Sequence, residues 1–301
     1  MDALLTPFLE ATLRTATPLA FAALGELVTE RSGVINLGLE GSIVAGCLGA
    51  LVVAGAAGPA AGFLGGAAAG VLLASLLALF VITLRTDQII AGTAVTMLGL
   101  GLTGTLYRVL YGVGGAGLST PTVAPYTIPL LADIPVLGPA LFRQTAPTYA
   151  LYVALPLIAW WLHRTHGGLA LRATGERAES AVAAGVPVAR MRWAAILFGG
   201  AMGGLGGATL VLAQVGSFNE GMSAGRGFIA IAIVVLGRWS AWGTAAASLV
   251  FGGAFALQYL FQSTGLDVPY SLFLAFPYVL TLALLALLRG RSAAPAGLAQ
   301  G

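Results

Sequence analysis

The chain has 301 residues, 58% of them hydrophobic and only 8% charged, with a mean hydropathy of +0.94; this is too little polar surface to cover a soluble globule. The net charge of +3 rests on fourteen basic residues that are all arginines. They fall where apolar runs end, with no basic face interleaved with aromatics, so nucleic acid is excluded as a partner and an integral membrane protein is expected.

Apolar runs of roughly twenty residues predict nine helical crossings, near 13–29, 42–57, 60–84, 88–108, 148–163, 192–214, 226–238, 241–261 and 269–288. The runs lack the alternation of a membrane barrel, so the expected fold is all-α, a polytopic helical bundle with broken helices in a single domain over 1–301. No cleaved signal peptide is expected, because the first residues carry Asp2 and Glu10 and no basic cluster. With the segment from Arg164 to Arg192 inside, ten arginines lie on the cytoplasmic side and four outside, which favours a cytoplasmic C-terminus ending in a flexible tail over about 290–301.

Two crossings are weak. The first carries Arg14 and Glu26, which leaves an interfacial N-terminal helix open, and the uncharged run Gly227–Gly237 is short for a span. A full crossing with its outer part unwound over 216–226 keeps the arginine count consistent. Gly62, Gly66 and Gly70, and again Gly199, Gly203 and Gly207, recur at a spacing of four, the pattern that lets membrane helices approach closely.

Between the spans lie four polar segments. The stretch ERSGVINLGLEGS at 30–42 is either a broken helix exposing Asn36 to a translocation path or a cytoplasmic turn with Glu30 and Arg31 solvated and Glu40 capping a helix. The stretch 216–227 poses the same choice for Asn219, Glu220, Ser223 and Arg226. Residues 111–147, rich in Gly and Pro, form a connecting loop or an external docking cap. The segment around 168–190 is longer than a connection needs, and predicts a short helix over 176–184 ended by Gly185 and Pro187.

Catalytic and metal chemistry find no support in the residues. Cys47 is the only cysteine, and His163 and His166 have no Cys, Asp or Glu near them in sequence to complete a metal site. There is no Ser, His and Asp constellation and no GxxxxGK[ST] phosphate loop, so the chain is not expected to be an enzyme or to hydrolyse ATP itself.

Three motifs, ERSGVINLGLEG at 30–41, GLALRATGERAESAVAAGV at 168–186 and GRGFIAIAIVVLGRWSAWG at 225–243, resemble the permease subunits of bacterial ABC importers of the branched-chain amino acid and simple sugar group, and within it the nucleoside-type permeases. The resemblance implies a multi-pass subunit of the bacterial cell membrane that carries nucleosides or related nucleobase compounds, with simple sugars or branched-chain amino acids as the alternatives. It implies as partners an ABC ATPase, a second, related permease, an external substrate-binding protein, a small polar solute and membrane lipid; ATP and magnesium would bind the ATPase, leaving no cofactor in this chain. Glu176, Arg177, Ala178, Glu179, Ala181, Ala184 and Gly185 would form the segment coupled to the ATPase, with the small residues as its inserted face. Asn36, Glu40, Asn219, Glu220 and Ser223 are the candidates for the substrate path. From other classes, an ion-coupled secondary transporter would have to rely on Glu26 or Asp87, and a structural membrane subunit would transport nothing.

Overall fold

The computed structural model describes residues 2–112, 120, 122–135, 137–263, 279, 283 and 294–298. Among these the chain forms eleven helices and one two-residue antiparallel pair, Tyr126–Thr127 (β1) with Arg143–Gln144 (β2). Helices α1 (Asp2–Arg31), α2 (Leu39–Ala57), α3 (Pro59–Ala78) and α4 (Gln88–Tyr111) are followed by α5 (Leu137–Phe142) and α6 (Ala146–Arg164). Two short helices, α7 (His166–Glu176) and α8 (Ala178–Ala183), lead to α9 (Val188–Leu210), α10 (Arg226–Leu236) and α11 (Ala241–Ser263).

Local chemistry sets several of these boundaries. Gly58, at a φ of +84°, is the entire connection between α2 and α3, and Pro59 opens α3, where a missing N–H costs nothing. The Asp87 side chain accepts from the N–H groups of Ile89 (2.8 Å) and Ile90 (3.0 Å) and so caps α4. Thr165 caps α7 through the N–H of Gly168, at 3.1 Å. Both α3 and α9 end in a π turn, over Leu79–Thr83 and Val211–Val215.

Four helical segments are long and apolar enough to cross a membrane: Leu39–Ala57, Pro59–Thr83, Gln88–Tyr111 and Val188–Val215. Helices α1, α6, α10 and α11 occupy four more of the nine expected positions, and the last, 269–288, lies outside the described residues except for Val279 and Ala283, both helical. The helical class of the fold thus stands, and among the described residues length and hydropathy support four crossings by themselves. Large apolar side chains point outward at Leu64, Leu72, Ile90, Met97 and Val109, each more than two-thirds exposed, as a lipid-facing surface requires.

Helices α1, α2 and α9 form the centre, with α3 against α2 and α9, α11 against α1, and α4 against α2. The spacing of glycines is what allows this density. A Cβ on Gly70 would strike the carbonyl oxygen of Gly200, one on Gly204 that of Gly66, and one on Gly207 that of Ile43. The α9 stripe of Gly199, Gly203 and Gly207 does not serve a single neighbour: Gly199 meets α1, whereas Gly203 and Gly207 meet α2, and it is Gly200 and Gly204 that face α3. Between α4 and α6, residues 120 and 123 return to the end of α9, where the Thr120 N–H donates to the Gly216 carbonyl and the Val123 N–H to that of Leu212, both at 2.8 Å.

These contacts make a sharp comparison. Gly204→Val is expected to lower stability by about 1–3 kcal/mol or to prevent folding, because backbone sits where the side chain would go. Gly55→Ala, at an α2 position with open space around it, is expected to be neutral or slightly stabilising. Thermal unfolding of the two purified variants in detergent, followed by loss of the monodisperse peak, checks the contrast.

Candidate functional site

The motif at 30–41 and the helix α10 form one unit. Glu40, in the first turn of α2, is buried, and its Oε1 accepts from the Ser223 hydroxyl and from the Gly225 N–H at 2.8 Å. Its Oε2 accepts from the Gly227 N–H at 2.6 Å. A carboxylate therefore sits on the N-terminus of α10, where free N–H groups and the helix dipole both favour negative charge. Gly225 adopts a left-handed φ of +78° as the cap residue, and Gly227 lies so close to the Glu40 backbone that a Cβ there would collide with it.

The other end of α10 is held by the start of the same motif. The Trp239 indole N–H donates to Glu30 Oε2, and the Trp239 carbonyl accepts from Arg31 Nε at 2.8 Å and Nη2 at 2.6 Å. Arg238 and Trp239 both carry a φ of +52°, a strained conformation for such bulky residues that these bonds help to fix. With 11 residues, α10 rises about 16 Å, roughly half of a hydrocarbon layer about 30 Å thick. Its C-terminal end is tied to the end of α1, so Glu40 and the N-terminus of α10 lie one helix length, ~16 Å, away.

Between Arg31 and Leu39 the chain is neither a solvated turn nor an exposed break. Glu30 is 1% exposed and Asn36 is fully buried. The Asn36 N–H donates to Glu26 Oε1 at 2.9 Å, so the loop folds back alongside α1. On its other side the Ile35 N–H donates to Gln88 Oε1 at 3.0 Å, and Thr96 Oγ1 donates to the Leu37 carbonyl at 2.7 Å, both from α4. Both side-chain amide atoms of Asn36, together with Glu26 Oε2, Glu30 Oε1 and Gln88 Nε2, are buried with no hydrogen-bond partner among the described residues. Each such unmet group costs on the order of 1–3 kcal/mol, and a concentration of them is where water or a polar solute finds partners.

The five path candidates thus fall into three places. Glu40 and Ser223 are joined to each other, Asn36 lies in the loop beside Glu26, and Asn219 and Glu220 are exposed. Glu220 forms an ion pair with Arg108 near the end of α4 (2.8 and 3.0 Å), with both side chains about half exposed. Sequence reasoning did not foresee the parts of Trp239, Gln88 and Arg108. For the tryptophan, its place in the third motif, just after α10, is the one signal that could have singled it out.

The 168–190 segment carries the expected short helix as α8 (Ala178–Ala183), followed by Gly185 at a φ of +81°, and a second helix, α7, precedes it. Arg177 is extended, with φ −149° and ψ 93°, and separates α7 from α8. Ala181 is buried and Ala178 half-buried, whereas Glu176, Arg177, Glu179, Ala184 and Gly185 are exposed and Val182 is 60% exposed. The three alanines therefore do not share an outward face; Val182 is the apolar side chain that α8 presents. Residues 294–298, expected to belong to a flexible tail, dock here: the Gly297 N–H donates to the Gly175 carbonyl at 2.8 Å and the Ala296 N–H to Glu176 Oε2 at 3.2 Å.

Removing the Glu40 carboxylate leaves two N–H groups and a hydroxyl unpaired inside the bundle. Glu40→Ala is expected to cost about 3–5 kcal/mol, and Glu40→Gln distinctly less, since an amide oxygen still accepts from the α10 N-terminus. The midpoint of thermal unfolding for the two variants, measured side by side, checks the order.

Comparison with known proteins bears on the whole chain. The nucleoside ABC transporter permease protein of Lactococcus lactis subsp. cremoris is 35% identical over 290 residues, covering 93% of this chain and 91% of that protein. The guanosine ABC transporter permease protein of Bacillus subtilis is 36% identical over 302 residues, 97% of this chain and 95% of the relative. A putative glucose ABC transporter permease protein of Haloferax volcanii is 39% identical over 263 residues, 86% of this chain and 78% of the relative. No solved structure matches the chain. Residues 8–285 match the family described as the permease component of the branched-chain amino acid transport system, and the chain, a multi-pass membrane protein, belongs to that family of ABC permeases.

Proposed function

We propose that the chain is the membrane-spanning permease of an ATP-driven importer for nucleosides or related nucleobase compounds. Two relatives similar along nearly their whole length are named for nucleosides and for guanosine, and this carries the reading of the substrate. The buried unpartnered atoms around Asn36, its own amide, Gln88 Nε2 and one oxygen each of Glu26 and Glu30, suit a solute that both donates and accepts hydrogen bonds. A simple sugar is the second reading, favoured by the glucose permease relative.

In this reading the C-terminus and the 168–190 segment face the cytoplasm, where α8 engages a separate ATPase. ATP-driven closure of the ATPase pulls on α8 and switches the path from outward to inward access, and an external binding protein delivers the solute. One α8 engages one ATPase site, so a second, related permease completes the pathway. The half-length α10 is the element that lines the path at mid-depth, and the bonds at its two ends set its position.

Uptake of radiolabelled guanosine into liposomes holding this chain, its ATPase and its partner permease, with the binding protein outside, tests the reading. Uptake that depends on ATP and is competed by other nucleosides but not by glucose is expected; ATP-independent uptake by this chain alone would overturn it. Val182→Glu is expected to abolish ATP-driven uptake while leaving the bundle folded, because it places a charge on the apolar contact of α8.

A further inference from the structure

Helices α6 and α9 both pack on α1 and on α7, and leave a crevice between them. Its volume is about 510 Å³, within the range of about 300–1,000 Å³ typical of small-molecule sites. Leu157, Ile158 and Trp161 of α6 form one wall and Met191, Ala194 and Phe198 of α9 the other, while Val28 of α1 and Leu171 of α7 close it from behind. Apart from the Trp161 indole N–H, every lining side chain is apolar. The crevice opens outward past Leu157 and Phe198, which are 56% and 37% exposed.

The charges at one end complete the picture. On α6 the stripe of Leu157 and Trp161 runs at helical spacing to Arg164, and on α9 the stripe of Phe198 and Ala194 runs to Arg190. Both arginines are exposed, as are His163 and His166 beside them. Neither α6 nor α9 contains an acidic residue, and the only one in α7 is Glu176 at its far end. Trp161 stands at the boundary between the apolar walls and this basic rim, with its ring over Gly167, in the position that tryptophan favours at a membrane interface.

We propose that the crevice is a phospholipid site, taking one acyl chain of an anionic phospholipid along its apolar walls with the phosphate between Arg164 and Arg190. The acyl chain is apolar where the walls are apolar, and the headgroup carries the charge that the rim lacks. Assignment to the cytoplasmic leaflet rests on the orientation proposed above; the site itself does not depend on the transported solute.

Native mass spectrometry of the assembled transporter, equilibrated with equal amounts of phosphatidylglycerol and phosphatidylcholine of matched chains, tests this without any transport measurement. One phosphatidylglycerol per copy of this chain is expected to survive after the other lipids are stripped. Arg164→Gln with Arg190→Gln, both at the surface, is expected to reduce the preference for phosphatidylglycerol by about 30-fold. Ala194→Trp is expected to fill the crevice and abolish retention of either lipid. A photo-crosslinking residue in place of Leu157 should gain the mass of a phospholipid. Retention of no lipid by the unaltered protein, unchanged retention and preference in the variants, or a crosslink from 157 to another polypeptide would each overturn the proposal.

Discussion

A carboxyl group buried among apolar side chains is costly unless donors surround it, and at Glu40 those donors are the Ser223 hydroxyl and the N–H groups of Gly225 and Gly227, at the start of a helix that begins inside the bundle. The dependence runs both ways. Of the N–H groups that open α10, that of Arg226 bonds back to the Ser223 carbonyl, while those of Gly225 and Gly227 find their acceptor in Glu40. Each side supplies what the other lacks, so α2 and α10 fix one another in register. Glu30 and Arg31 do the same at the lower end, through Trp239. A stretch of twelve residues, ERSGVINLGLEG, thereby holds both ends of a helix that is nearly two hundred residues away in sequence.

The rest of the bundle supplies the rigid wall against which this unit is set. Helices α2, α3 and α9 touch through backbone, since glycine occupies the crossing points, and such contacts have no flexible side chains to absorb displacement. The less regular parts lie elsewhere, in the non-helical residues 216–225 and the loop from 32 to 38.

Much of this was legible in the sequence, and the limits have physical causes. Apolar runs marked the helices because lipid demands about twenty such residues, and every run within the described part coincides with a helix. Glu40 as a helix cap was also within reach, but not which helix, because a cap on a distant element leaves no local signature. Burial of Glu30 and Arg31 was hidden for the same reason: charged residues beside glycines resemble a solvated turn until a partner such as Trp239 is brought to them. How the small residues Ala178, Ala181 and Ala184 face could not be read from spacing alone, because it depends on how α8 packs: α8 turns Ala181 inward and ends at Ala183, so Ala184 lies beyond it. Glycine spacing on α9 marked close backbone contact but could not name the partners, as a helix with glycine on several faces can meet three neighbours at once.

The docked residues 294–298 bear on how such a subunit matures. The Gly297 N–H donates to the carbonyl of Gly175, a residue made more than a hundred positions earlier, and Ala294 and Leu298 pack against the main apolar cluster. During synthesis the 168–190 segment must therefore wait, with its carbonyl and its apolar flank uncovered, until residues 294–298 emerge from the ribosome. A prematurely terminated chain could insert its helices yet would present an unfinished surface at α7. Synthesis through residue 298 is in this way written into the surface of α7.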